Sequence, residues 1–160
     1  RAKEKVTKIY DTLLDIFQRA DKSGIATHIV ADQMAQEIIA NELLNYKGID
    51  RVYTGRQMMQ NNYTEGIPYI LQNGYNQKRS GDVLVVLKPG MVSYPRMGST
   101  HGSPHIYDTH VPLLFYGKGI HRGNTVNRTE IPDIAPTIAA LLGIAFPNGT
   151  TGEPIVEVLE

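Results

Sequence analysis

The chain contains no cysteine, which excludes both a disulfide scaffold and a thiolate metal site. It has no surplus charge of either sign: 16 basic and 16 acidic side chains give a formal net charge of zero. A balance of this kind supplies no electrostatic reason to bind nucleic acid or an anionic membrane surface. No basic run and no aromatic-plus-basic stripe compensates for it. No apolar run approaches the roughly 20 residues of a membrane span. Internal repeats and low-complexity segments are also absent. The first residue is Arg1 rather than methionine, and no leader pattern precedes the first helix. The expectation is a piece cut from something longer, so the missing leader says nothing about compartment.

What is present suits a packed domain. With 160 residues and 41% hydrophobic content, the chain is long enough for one core. Val6, Ile9, Tyr10, Leu13, Leu14 and Phe17 recur at helical spacing and predict a helix over 1–22, ended by Ser23-Gly24. Met34, Ala35, Ile38, Ile39 and Leu43 predict a second helix over about 31–46, with Gly48 as its stop. A short strand is expected over 49–54 and a short helix over 65–73. The aliphatic run over 82–87 is the clearest strand, and its lack of alternation predicts burial on both faces. Lys88-Pro-Gly90 stops it. Residues 91–110 read as a long loop, and 111–116 as a second buried strand. A last helix is expected from Thr129, which can cap it, through Leu142, with Gly143 as terminator. Helices alternating with buried strands argue an α/β fold.

The chemistry concentrates in the loop. Three of the five histidines, His101, His105 and His110, lie there with Asp108. Imidazole and carboxylate are common zinc ligands. Gly102 and Pro104 argue against a helix, so the spacing of four between His101 and His105 carries little by itself. Asp108 suits either a hydrogen bond to a ligating histidine or the capping of loop amides. His28 and His121 read as solvent-facing or structural. Asn62-Tyr-Thr, Asn127-Arg-Thr and Asn148-Gly-Thr match a glycosylation pattern that short sequences often contain by chance.

Three motifs stand in order along the second half. They are Gly81-Asp-Val-Leu-Val-Val-Leu-Lys-Pro-Gly90, Ser99-Thr-His-Gly-Ser-Pro104 running on to Tyr107-Asp-Thr-His-Val-Pro-Leu-Leu-Phe-Tyr-Gly117, and Ile131-Pro-Asp-Ile-Ala-Pro-Thr-Ile-Ala-Ala-Leu-Leu-Gly-Ile144. Together they resemble the C-terminal part of the alkaline phosphatase superfamily, relatives of the type I phosphodiesterase/nucleotide pyrophosphatases. The nearest likeness is to bacterial alkaline phosphatases with a threonine nucleophile. The resemblance covers about residues 49–160, and residues 1–48 form a helical segment of weak resemblance. It implies part of an alkaline-phosphatase-like three-layer sandwich, with helices flanking a mostly buried sheet.

The resemblance also implies a function. The parent would be a zinc-dependent phosphoric-ester hydrolase, a phosphomonoesterase acting on phosphate esters through two zinc ions. By position in Thr-His-Gly, His101 would be a zinc ligand; no ligand role carries over to His105 or His110. The nucleophile and the other ligands have no counterpart in residues 1–80, so this chain alone is expected to be inactive and not to hold zinc. A phosphodiesterase or nucleotide pyrophosphatase is the alternative within the family, and a sulfatase fits less well. A non-catalytic metal- or protein-binding module with a three-histidine site is the alternative outside it. Export to the periplasm or medium is implied. Strand edges left open would invite dimerisation, and the loop over 91–110 would be mobile without its metal.

Overall fold

The computed structural model describes residues 2–92 and 100–160. Two compact units divide at 110/111. The first holds helix α1 (Ala2–Ser23), helix α2 (Thr27–Leu43), strand β1 (Ile49–Thr54), helices α3 (Gly55–Gln60) and α4 (Gly66–Gly74), strand β2 (Val83–Leu87) and the short helix α5 (Ile106–Thr109). The second holds a 3₁₀ turn (Ile131–Asp133), helix α6 (Ile134–Leu142) and the short helix α7 (Val156–Leu159). The combination of helices and sheet is α/β.

In the first unit α1 packs on α2, and α2 lies against β1 and β2. The core is small. Ala20, Val30 and Met34 are buried together, with Ile16 and Ile25 packed on them. Thus only the C-terminal end of the α1 stripe is covered: Val6, Ile9, Tyr10, Leu13, Leu14 and Phe17 are all exposed. The helix that the spacing predicts is present, while its apolar face lies open over three turns. Helix α2 begins at Thr27, four residues before the expected start, and ends at Leu43. Gly48 therefore lies past that helix. Its positive φ of 102° serves the turn into β1 instead.

Strands β1 and β2 pair antiparallel, from Ile49 opposite Leu87 to Thr54 opposite Val83, with an irregularity between Ile49 and Arg51. Val86 is buried at 1% exposure, whereas Val85 and Leu87 are each 42% exposed. The aliphatic run over 82–87 is thus a strand, as its composition predicts, but among the described residues only one of its faces is covered. Helix α3 is an addition to the expected elements. Thr54 caps it: its hydroxyl accepts from the Gln57 N–H at 3.2 Å, and the Gln57 side chain accepts from the Thr54 N–H at 2.8 Å. Thr54-x-x-Gln57 is a capping box readable in the sequence.

The expected strand over 111–116 is not formed. The segment has no ladder partner among the described residues, and Val111, Leu114 and Tyr116 are largely exposed. An apolar run becomes a strand only where another strand satisfies its backbone groups. The last helix also starts differently from the expectation. Thr129 does not cap it; the chain enters through the 3₁₀ turn, where the Glu130 N–H donates to Asp133 Oδ2 at 2.8 Å. Gly143 ends α6 in the left-handed region, φ 65°, as expected. Thr137 is fully buried and ties α6 to the chain end. Its hydroxyl donates to the Asp133 carbonyl at 2.6 Å and accepts from the Ile155 N–H at 2.9 Å.

Candidate functional site

From Thr100 to His110, the segment after β2 is more structured than its composition suggests. Residues 93–99, including Ser99 of the histidine motif, lie outside the described residues. From Thr100 onward the chain makes a turn at Gly102, φ 106°, and then forms α5. Two side chains flanking the start of α5 fasten it to the end of β2. His105 Nε2 lies 2.7 Å from the Leu87 carbonyl. A carbonyl only accepts, so this ring nitrogen carries the hydrogen. The Gly90 N–H donates to the Tyr107 hydroxyl at 3.2 Å. The His105 and Tyr107 rings stack with centroids 5.7 Å apart. Nothing in the sequence pattern signals Tyr107 as an anchor, because its partner is a backbone amide 17 residues away.

His101 sits at the free end of this arrangement. It is exposed, and neither of its ring nitrogens makes a hydrogen bond among the described residues. Asp108 turns back toward it. The carboxylate accepts from the Ser103 N–H at 2.6 Å. That bond above all holds the Asp108 carboxyl below its ordinary range. Asp108 therefore caps a loop amide, one of the two roles that its residue type suggests.

The three histidines are not gathered. His105 is committed to Leu87, His110 is exposed at the C-terminal cap of α5, and no group of three or more His, Cys, Asp or Glu side chains among the described residues converges on a common point. Among the described residues the three histidines do not form the three-histidine site of the module alternative. His28 and His121 are exposed, as expected. The donor set fits zinc as a single ligand: His101 offers a free imidazole nitrogen, and the remaining ligands of any site would come from outside the described residues. No helix among the described residues is long and apolar enough to cross a membrane.

No family model matches the chain. Comparison with known proteins places it nevertheless. It is 38% identical over 125 residues to alkaline phosphatase PafA of Elizabethkingia meningoseptica, covering 78% of this chain and 23% of that protein. It is 42% identical over 88 residues to alkaline phosphatase PhoV of Synechococcus elongatus, covering 55% of this chain and 16% of that protein. A protein of Myroides odoratus named calcium-transporting ATPase is 42% identical over 136 residues, covering 81% of this chain and 24% of its own length. The crystal structure of wild-type PafA superposes with a TM-score of 0.72 at 35% identity, over 88% of this chain and 26% of that one. The chain spans about a quarter of the length of PafA and of the Myroides protein. Over the part that it spans, this chain is related to the alkaline phosphatase superfamily.

Proposed function

We propose that the chain is the C-terminal portion of a zinc-dependent phosphoric-ester hydrolase, a phosphomonoesterase, and that His101 is its contribution to a two-zinc site. The observation that carries the proposal is His101 itself. It lies in Thr100-His101-Gly102, in a chain related to several alkaline phosphatases, with its imidazole exposed and without a hydrogen-bond partner among the described residues. Zinc in such a site would polarise the phosphoryl oxygens and supply a strong nucleophile near neutral pH. The role of this chain is positional: β2, His105 and Tyr107 fix α5, and the turn at Gly102 presents the His101 ring. The threonine nucleophile and the other ligands belong to the remaining part of the protein, so this chain alone is inactive. The open apolar faces of α1 and of 111–116 support that division, because a larger fold would cover them. A periplasmic or secreted location goes with this reading.

The test is a pair of substitutions in the complete protein. His101→Ala is expected to remove most phosphomonoesterase activity by removing a metal ligand. His105→Ala is expected to cost much less, since it loosens the loop without touching the metal. Equal losses from the two would count against the assignment.

A further inference from the structure

Resting on the zinc-ligand reading of His101, we infer that Asp108 is its positioning residue: the carboxylate sets the direction of the His101 ring by holding the Ser103 amide, two residues further on. The carboxylate accepts from the Ser103 N–H at 2.6 Å. Ser103 stands two residues after His101, with Gly102 between them. The turn they form needs positive φ at Gly102, a conformation with no side chain of its own to stiffen it. Asp108 is the group that closes that turn from outside.

The carboxylate is itself on a fixed support. It stands on α5, which is joined to β2 through His105 to the Leu87 carbonyl and through Tyr107 to the Gly90 N–H. A continuous path therefore runs from the sheet through α5 and Asp108 to the Ser103 amide and so to His101. Breaking it at Asp108 leaves α5 in place and frees only the turn that carries the ligand. A ligand that samples several directions loses entropy on binding metal, so affinity falls even though the imidazole is intact. The oxygen that holds Ser103 is occupied as an acceptor. This favours a supporting role over direct metal ligation by that atom.

The experiment uses the complete zinc-loaded protein with Asp108→Ala, Asp108→Asn and, as a reference, His101→Ala. Zinc affinity is read by competition with a coloured chelator, and fold integrity by thermal denaturation of the metal-free proteins. Asp108→Ala is expected to weaken one zinc site about 10- to 100-fold, the usual range for groups that orient a ligand, with the metal-free melting curve close to that of the parent. Asp108→Asn is expected to recover most of that affinity, because its amide oxygen still accepts from Ser103. Asn as damaging as Ala would mean that charge or direct ligation matters and would overturn the inference. Unchanged affinity in Asp108→Ala, while His101→Ala loses one zinc, would overturn it and leave the His101 assignment standing. Unchanged affinity in His101→Ala would overturn both. Loss of fold in both Asp108 variants without any affinity change in the folded fraction would reduce Asp108 to a structural residue.

Discussion

Thr137 is the place where a single atom controls the packing of the second unit. Its hydroxyl donates to the Asp133 carbonyl and accepts from the Ile155 N–H, and the residue has no exposed surface. Thr137→Val preserves shape and removes both hydrogen bonds. The Asp133 carbonyl still has the helical bond expected of its place one turn before Thr137. The Ile155 N–H has no substitute, and Ile155 is only 6% exposed. A buried donor left unpaired costs roughly 1–3 kcal/mol. A central figure of about 2 kcal/mol lowers the folded-to-unfolded ratio up to about thirtyfold. Thr137→Ser keeps the hydroxyl and deletes one buried methyl, at about 1 kcal/mol. The expected order of stability is therefore Thr, then Ser, then Val. Urea denaturation measures the order, and hydrogen exchange at the Ile155 amide, much faster in Thr137→Val, localises it. A Val variant as stable as Thr, or more stable than Ser, would refute the reasoning.

Two further perturbations test the same unit. A Cβ at Gly152 would overlap the Pro132 carbonyl and the Asp133 nitrogen. Gly152→Ala is accordingly expected to displace the 152–155 segment, break the Glu153 N–H to Asp133 bond of 3.0 Å, and cost about 1–3 kcal/mol or more in urea denaturation; Gly123→Ala, with open space around it, is the control and is expected to stay within about 0.5 kcal/mol. The Glu157 carboxyl is held below its ordinary range, first by its own backbone N–H and then by the Asn127 amide and the Thr125 hydroxyl. The folded state then binds this proton less tightly than the unfolded one, so its stabilisation is present above the ordinary glutamate value of about 4.3 and is lost as pH falls through the lower folded value. Glu157→Gln is expected to flatten that acid limb of a stability-against-pH curve, and an unaltered limb would contradict the assignment.

Elements set by local pattern were the legible ones. The 3.6-residue spacing from Val6 to Phe17 gives α1, and the aliphatic run at Val83–Leu87 gives β2. Helix termini were less legible, because Gly48 and Thr129 are good capping residues that the chain uses elsewhere or not at all. Thr54 and Gln57 carry a readable capping signal, yet the helix behind them is only six residues long and has no periodicity of its own. Residues 111–116 have strand composition without a strand, since pairing is a property of neighbours and none is provided among the described residues. The site divides in the same way. His101 stands out by its motif, whereas its support does not: His105 and Tyr107 act on the backbone of Leu87 and Gly90, partners that no side-chain pattern encodes. Asp108 was identifiable as an amide capper by residue type, but its target was not.

The most direct measurement is zinc content together with hydrolysis of p-nitrophenyl phosphate, on this chain and on the complete protein side by side. The account predicts about two zinc ions and turnover in the complete protein, and neither in this chain. One zinc bound tightly by this chain alone, with no hydrolysis by either, would contradict it.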